Sequence, residues 1–446
     1  MGAEEPTKKK TTSGHISEQL EEDISTFPNM EVSHLYFLLQ VSGSAHAAVT
    51  PAEVESTKSK LLALIQANHM APFYERACAE FKWPVDAALL ASMKCVPVVR
   101  PFPQSLILAL CRKQNDDELA KLDAQLVDAE ANLGDIEVLE THLARARLYS
   151  LIGDKDKVLA AFATALTKPT SINQKIIIQL HIIRIGLFFS DLPLVETHIK
   201  KATALIDEGG DWDRRNRLKV YEGCYLLMAR DFAKASKLFQ ESVATFTSTE
   251  LMPYPTLIFY AVITCVLSMS RVDLKSKIVD SSEVLAVLLD IPHLSDFLNG
   301  LYDCNYKQFF TAIGTSSSAN KVSILILLLL FLVGLHAHVN RDKYLASHSR
   351  FIYRELRVLA YAQFLEAYRS VTLQSMATAF GVGIPFLDAE LSRFIAAGRL
   401  NAKIDKVAGV IETNRPDAKN AQYQETIKKG DALLNRVQKL ARVINV

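Results

Sequence analysis

At 446 residues, the chain is long enough for two or three domains with a substantial core. Its 50 basic and 49 acidic residues leave a formal net charge of +1, which gives no electrostatic reason to expect nucleic acid or an anionic membrane as the main partner. Glycine and proline are sparse, at 17 and 15 residues, which favours long helices over a sheet protein with many turns.

The chain begins without the apolar run of a signal peptide, and residues 1–30 are predicted to be a disordered lead-in. No two cysteines form a C-x-x-C pair, so the sequence signals neither a zinc site nor a redox motif. We therefore expect reduced thiols and a location in the cytoplasm and nucleus. The six cysteines are Cys78, Cys95, Cys111, Cys224, Cys265 and Cys304.

In the first third of the chain, apolar residues recur at intervals of three and four, which predicts helices with one buried face. The clearest of these helices is expected at Asp116–Leu133, where acidic residues occupy the first turn. Two earlier helices are indicated by Leu35, Leu38 and Leu39 and by Leu61, Leu62 and Ile65.

An internal repeat follows, with turns at Gly153-Asp154, Ser190-Asp191 and Arg230-Asp231, about 37 to 40 residues apart. This period is slightly longer than that of a tetratricopeptide repeat. It predicts a solenoid of helix pairs, in which each pair buries its apolar face against the next. Phe162 and Phe239 occupy matching places in two repeats and are expected to fill the core.

The segment GGDWDRRNRLKVY lies between the second and third turns. Gly209-Gly210 is expected to end one helix, and Asp211 or Asp213 to cap the next. The basic residues Arg214, Arg215, Arg217 and Lys219 then fall on one helix. A solvated or salt-bridging face between repeats explains them better than an anion site does.

Residues Ser370–Thr413 predict a winged helix. Thr372 can cap a helix running to Phe380, and Gly381 and Gly383 form the turn. Pro385 is expected at the first position of the second helix, where its missing N–H costs nothing, and Gly398 ends that helix. Short strands are expected at Leu400–Ile404 and Val410–Glu412.

A winged helix raises the alternative of a nucleic-acid-binding protein. A recognition helix needs Arg, Lys, Asn or Gln facing the bases. The candidate helix Pro385–Ala397 instead offers Asp388, Glu390 and a single Arg393 among apolar residues, and the wing adds only Lys403 and Lys406. Carboxylates facing phosphates are repelled, so a protein–protein surface is the better interpretation.

A long helix is predicted from about Lys419 to the end of the chain. The last four members of its apolar seam are spaced four, three and four residues apart, which approximates a heptad pattern. Such a seam would leave apolar surface in water without partner helices. The predicted interaction residues are Ile427, Leu433, Val437, Leu440 and Ile444.

The chain resembles the PCI-domain subunits of the lid of the 26S proteasome, from about Leu35 to the last residue. The resemblance is carried by GGDWDRRNRLKVY and by three later segments, SRFIAAGRL (Ser392–Leu400), KIDKVAGVIETNRPDAKNAQYQ (Lys403–Gln422) and KKGDALLNRVQKLARVINV (Lys428–Val446). It implies a helical-repeat arm, a PCI winged helix that packs edge to edge with other PCI subunits, and a C-terminal helix that joins a helical bundle. The wing strand residues Lys403 and Ile404 are then expected at the PCI–PCI contact.

The resemblance also implies a non-catalytic scaffold without a cofactor, a metal site, bound nucleic acid or a membrane anchor. The expected partners are the other PCI and MPN lid subunits and the base ATPases, in a hetero-oligomer that supports ubiquitin-dependent degradation. A PCI subunit of the COP9 signalosome has the same architecture and is the main alternative.

The predicted fold class is all-α, a right-handed solenoid of TPR-like helix pairs followed by a PCI winged-helix module with a small β wing and a long C-terminal helix. The expected boundaries are residues 31–250 for the repeats, 251–413 for the PCI domain, 370–413 for its winged helix and 414–446 for the bundle helix.

Two stretches, Cys95–Gln114 and Gly314–Asn340, depart from the pattern of the resembled family. The first is broken by prolines, and the second contains the apolar run Ile324–Val333, which is too short to span a bilayer. Our hypothesis is that both are retained introns or other gene-model errors. The second stretch also holds the pair His336 and His338, which lacks the spaced aspartate of a metalloprotease site and is interpreted as incidental.

Overall fold

The computed structural model describes residues 27–42, 51–68, 70–81, 83, 118–131, 135–168, 171–288, 290–291, 293–313, 335–413 and 418–444. Their main secondary structure is helical, as predicted. The stretch Cys95–Gln114 and residues 314–334 of the second unusual stretch lie outside the described residues. The remaining part of that second stretch, from residue 335, begins a helix whose Leu335 and Val339 side chains are fully buried.

The described residues as far as Ser268 form eleven helices. They are α1 (Met30–Ser42), α2 (Pro51–Ala67), α3 (Ala71–Phe81), α4 (118–131), α5 (Asp135–Ile152), α6 (Lys155–Thr167), α7 (Ile172–Phe189), α8 (Leu192–Gly209), α9 (Trp212–Met228), α10 (Phe232–Val243) and α11 (Tyr254–Ser268). The helices predicted around Leu35, around Leu61 and at 116–133 are confirmed within the described residues.

The predicted repeat turns are confirmed. In each of them, a residue with positive φ is followed by an aspartate that caps the next helix: φ is +80° at Gly153, +58° at Ser190 and +64° at Arg230. The side chains of Asp154, Asp191 and Asp231 accept hydrogen bonds from the N–H groups of Lys157, Leu194 and Lys234 at 3.4, 3.3 and 3.2 Å. Each bond satisfies a helix N–H that otherwise lacks a partner.

Each turn joins two helices that pack against each other, giving the pairs α5–α6, α7–α8 and α9–α10. Phe162 and Phe239 are buried between helices, as expected for core-filling residues. Between the second and third pairs, Gly210 ends α8 and Asp211 caps α9, which confirms the predicted boundary.

Helix α7 is the apolar centre of this arm. By length and composition it is the one helix among the described residues that could cross a membrane, but 72% of it is buried inside the protein. It packs against α1, α6, α8 and α9. This position is that of a core helix, and its apolar character follows from being covered on most sides.

Burial also controls the titration of His181 on α7. Its Nε2 lies 3.1 Å from Ser150 Oγ, and desolvation lowers its pKa to about 3 from an ordinary value of 6.5. The folded state therefore binds fewer protons than the unfolded state between these two pH values, and stability falls as pH drops through that window.

We expect the acid sensitivity to shrink in His181→Gln, which keeps a polar group beside Ser150 but does not titrate. Between pH 6.5 and 5, the free energy of unfolding of the unmodified chain should fall by about 2 kcal/mol more than that of the variant. Urea unfolding at both pH values measures the difference. Equal losses in the two proteins would mean that His181 is not held neutral by the fold.

Further helices follow α11 and pack into the same core. They are α12 (Arg271–Leu274), a π-helical turn (Lys275–Val279), α13 (Ser282–Leu288), α14 (Leu294–Tyr302), α15 (Tyr306–Ile313), α16 (Leu335–Arg341), a 3₁₀ turn (Ala346–His348) and α17 (Ser349–Ala367). Phe380 stacks against Tyr306 and contacts Tyr361 and Phe364 edge-on, so an aromatic cluster fixes the following module to α15 and α17.

The winged helix consists of β1 (Ser370–Thr372), α18 (Leu373–Phe380), α19 (Ile384–Ala396), β2 (Ala402–Asp405) and β3 (Val410–Thr413), and α20 (Ala418–Ile444) ends the chain. Thr372 caps α18, and Gly381 ends it with φ of +67°, as predicted. Two details are corrected. Helix α19 begins at Ile384, so Pro385 is its second residue, and the first wing strand begins at Ala402 instead of Leu400.

The sheet of the wing has a third strand that the sequence pattern does not predict. The strand order is β1-β3-β2, with both pairs antiparallel. Val371 pairs with Ile411, and Ile411 also pairs with Ile404. β3 is therefore the central strand, and β2 lies at an edge of the sheet.

Candidate interaction surfaces

Helix α20 carries eight of the large apolar side chains that are exposed in the described part of the chain. It has 27 residues, which corresponds to a length of about 40 Å. All of the described side chains on it are exposed. The predicted interaction residues are 54–71% exposed: Ile427 59%, Leu433 65%, Val437 54%, Leu440 60% and Ile444 71%.

Three further apolar side chains on α20 are equally exposed and were missed by the sequence prediction: Tyr423 67%, Leu434 58% and Val443 74%. Leu434 could have been found, since it follows Ile427 by seven residues and so lies on the same face. Burying one leucine is worth about 1.5–3 kcal/mol, so the full set represents a large favourable term that only a partner surface can supply.

The wing offers an unpaired backbone edge on β2. Lys403 is exposed and pairs with Glu412 of β3, while Ile404 pairs with Ile411 and is partly buried against the core. The two predicted contact residues thus lie on the strand whose outer side is free among the described residues. At the tip of the hairpin, Val407 is 99% exposed, and Asp405 accepts from its N–H at 2.9 Å.

Both carboxylates of α19 are bonded to other groups of the protein. Glu390 is buried, accepts a hydrogen bond from the Tyr361 hydroxyl at 2.8 Å and pairs with Arg357 at 3.0 Å. Asp388 pairs with Lys406 of the wing at 3.1 Å. Leu387 and Leu391 are buried in the core. The carboxylates of α19 form ion pairs with the basic residues around them, so this helix lacks the positive charge that a DNA-recognition helix needs. The nucleic-acid alternative is therefore not favoured.

The basic cluster of α9 forms ion pairs, as expected for a salt-bridging face. Arg217 pairs with Asp213 at 3.0 Å, and Lys219 pairs with Glu241 of α10 at 2.8 Å. Arg215 reaches Asp207 of α8 at 4.0 Å. The second and third pairs join neighbouring helices, whereas the first lies within α9. All three are partly exposed, so each is worth little.

A buried polar hub, Asp342, Lys343 and Tyr344, connects the N-terminal helices to the rest of the chain. The Lys343 ammonium donates to the carbonyls of Leu187 and Phe188 at 2.7 and 2.9 Å and to the Ser33 hydroxyl. Both carbonyls belong to the last turn of α7, where helix carbonyls lack the N–H partner four residues on and a cation is favourable. The ammonium thus joins α1, α7 and the segment after α16.

Asp342, the acidic residue of the hub, also has its hydrogen-bonding groups satisfied inside the protein. Asp342 accepts from the backbone N–H groups of Tyr344 and Leu345 at 2.8 and 3.0 Å and from the Tyr260 hydroxyl. Burial raises the pKa of Asp342 to about 6 and lowers that of Lys343 to about 7. Desolvation is the main cause of both pKa shifts, because it disfavours the charged form of each side chain. The hydrogen bonds described above favour the charged forms.

The histidine pair on α16 does not form a site. His336 contacts the Tyr353 ring at 4.5 Å between centroids, whereas His338 contacts Phe259 at 5.9 Å. Residues two apart on a helix point to nearly opposite sides, so the two rings cannot share a ligand. Over the residues that the structure describes, no group of three or more His, Cys, Asp or Glu side chains could hold a metal ion.

Comparison with known proteins identifies the family of the chain. The family model described as 26S proteasome subunit RPN7 matches residues 107–277, and the PCI domain model matches 333–415. The model described as the 26S proteasome regulatory subunit RPN7/PSMD6 C-terminal helix matches 422–444, within α20.

Curated relatives cover almost the whole chain. The 26S proteasome non-ATPase regulatory subunit 6 homolog of Arabidopsis thaliana is 45% identical over 419 residues, which is 94% of this chain and 97% of that protein. The Caenorhabditis elegans subunit 6 is 38% identical, with 99% of both chains covered. Regulatory subunit RPN7 of Saccharomyces cerevisiae is 34% identical, with 96% of both covered. The chain belongs to the RPN7/PSMD6 family of 26S proteasome regulatory subunits.

Membership of the RPN7/PSMD6 family confirms the resemblance inferred from the sequence. All three relatives are named as proteasome subunits, so the signalosome alternative is not favoured. The repeats α5–α10 and the winged helix fall within the matched segments, and the third match covers α20 from residue 422 onwards.

Proposed function

We propose that the chain is a non-catalytic scaffold subunit of the lid of the 26S proteasome, and that it supports ubiquitin-dependent degradation by holding neighbouring subunits in position. The observation that carries the proposal is the continuous exposed apolar face of α20, in a chain whose relatives are proteasome regulatory subunits. Exposed apolar surface of this extent is typical of a site that partner helices cover.

The proposal assigns each part of the chain a task. Residues 31–250 form an arm of helical repeats, residues 251–413 form the PCI domain, and residues 414–446 join a bundle of partner helices. The β2 edge, with Lys403 and Ile404, takes part in lateral PCI–PCI contacts, since an open strand edge can pair with another chain. The partners are other PCI and MPN lid subunits and the base ATPases, in the cytoplasm and nucleus.

The absence of a catalytic role is supported by the state of the buried polar groups. Glu390, Asp342 and Lys343 are bonded to structural partners, and burial lowers the pKa of both His336 and His338. A cleft of about 560 Å³ lies between α11, α14 and α17, but its Arg271 and Gln363 donate to the carbonyls of Tyr302 and Leu301. These side chains hold the fold together.

Two experiments test the proposal, one for the role in degradation and one for the absence of catalytic activity. Depletion of the chain from cells should block degradation of a ubiquitinated reporter, and re-expression should restore it. The purified chain alone should hydrolyse neither ATP, nor a peptide substrate, nor ubiquitin chains. Unimpaired degradation after depletion would contradict the role, and an activity of the purified chain that a point substitution abolishes would contradict the non-catalytic assignment.

A further inference from the structure

Apart from Val443, the exposed apolar residues of α20 form three neighbouring columns along the helix. In an α-helix, residues seven apart lie nearly above one another, and residues three or four apart lie in adjacent columns. The central column is flanked by one column on each side. The central column is Tyr423, Gly430, Val437 and Ile444, and the flanking columns are Leu433 with Leu440 and Ile427, Leu434 with Ala441.

Gly430 interrupts the central column at its middle. Glycine is unfavourable in the interior of an exposed helix, and α20 has no other support from the described residues around it. A Cβ at position 430 would meet no atom within 4 Å. At this position the apolar surface between Ile427, Leu433 and Leu434 carries no side chain and is open to solvent.

The two sides of the apolar surface differ in charge. Lys429 and Arg436 border the column of Leu433 and Leu440, whereas Gln424, Asp431 and Gln438 border the opposite column. Lys429 lies 2.8 Å from Glu425, but this pair is largely exposed and therefore weak. The edge beside Leu433 and Leu440 is consequently positive and complements carboxylates on a partner.

We propose that a helix of a neighbouring subunit crosses α20 in close backbone contact at Gly430 and presents carboxylates to Lys429 and Arg436. This inference rests on the proposed function, because it specifies which helix chemistry covers the α20 surface. A small residue at the crossing point allows two helix backbones to approach closely, and the larger apolar residues on either side then pack around the crossing.

Substitution of Gly430 by leucine tests the crossing. Gly430→Leu favours the helix and adds apolar surface, so it should improve assembly if the partner merely needs an apolar face. If a partner backbone packs against Gly430, the fraction of tagged full-length chain in the proteasome band of a native gel should fall at least tenfold. Ala432→Leu adds the same side chain on the opposite face of α20 and should assemble normally.

The charge complementarity has its own pair of variants. The double substitution Lys429→Glu with Arg436→Glu should reduce incorporation at least fivefold, whereas Lys428→Glu with Arg442→Glu, on the outer face, should change it less than twofold. Equal incorporation of the two double variants would contradict the proposal that the partner helix presents carboxylates to Lys429 and Arg436.

Leu440→Asp separates this inference from the proposed function. If Leu440→Asp is excluded from the proteasome while Gly430→Leu assembles like the unmodified chain, the close crossing is wrong and the scaffold role stands. If Leu440→Asp also assembles normally, the proposed function itself fails. Exclusion of both, with normal assembly of Ala432→Leu, supports the crossing at Gly430.

Discussion

Leu440→Asp should prevent the chain from entering the proteasome without unfolding it. Leu440 is 60% exposed on α20, so an aspartate there stays hydrated in the free chain and costs little. In a helical bundle the same carboxylate would be buried without a partner, which costs several kcal/mol and is enough to abolish incorporation. Native gels of cell extracts, probed for the tagged chain, measure the distribution between free and assembled forms.

The control for this variant places the same carboxylate on the outer face of α20. Asn435→Asp lies away from the three apolar columns and should enter the proteasome like the unmodified chain. Circular dichroism and thermal unfolding of the purified variants should show equal helix content and equal Tm. Normal assembly of Leu440→Asp, or equal exclusion of both variants, would contradict the role of the apolar face.

Lys343→Met should destabilise the docking of the N-terminal helices onto α7. Methionine keeps most of the aliphatic stem but removes the ammonium, so the carbonyls of Leu187 and Phe188 lose a charge-assisted donor in a dry environment. The expected loss is about 3 kcal/mol, since hydrogen bonds to charged groups are worth about 1.5–3 kcal/mol each and part of the gain offsets desolvation of the lysine.

The loss should be concentrated at the hub. Amide hydrogen exchange should rise first in α1, whose Ser33 also bonds to the ammonium. Urea unfolding measures the total loss in the free energy of unfolding. Lys237→Met, at an exposed position of α10, serves as the matched control and should change stability by less than about 0.5 kcal/mol. A Lys343→Met chain as stable as the unmodified one would show that the buried charge brings no net stabilisation.

Local sequence signals predicted much of the arm and of the winged helix. The repeat turns were recognisable because an aspartate follows directly after the turn residue and caps the next helix, as at Asp154 and Asp191. Thr372 and Gly381 marked the two ends of α18 for the same reason. These are interactions between residues at most a few positions apart, so the sequence contains them completely.

Contacts between residues far apart in the sequence could not be predicted from such local signals. Strand β1 has three residues and no pattern of its own, and it forms only because Val371 meets Ile411, forty residues later. Lys343 reads as an ordinary polar residue between Asp342 and Tyr344, yet it contacts residues more than 150 positions away. Its burial is a consequence of how α1 and α7 are packed, which no local pattern specifies.

On α20, periodicity predicted a narrow apolar seam, and the structure shows that these residues are exposed. That this face binds partner helices stays a prediction. The seam from Leu433 to Ile444 follows the spacing of a two-column coiled coil, and the structure adds Leu434 and Tyr423 beside it. The role of Lys403 and Ile404 remains a prediction, as do the domain boundaries. The hypothesis of gene-model errors at Cys95–Gln114 and Gly314–Asn340 also remains a prediction, although α16 already packs the end of the second stretch into the core.

The most direct measurement of the scaffold assignment is affinity purification of the tagged chain from its own cells, followed by mass spectrometry of the associated proteins. The account predicts recovery of the proteasome lid and base ATPase subunits in amounts comparable to the chain. Peptides from Cys95–Gln114 or Gly314–Asn340 of the native protein would contradict the gene-model hypothesis alone. Recovery of signalosome subunits instead, or of no large complex, would contradict the assignment itself.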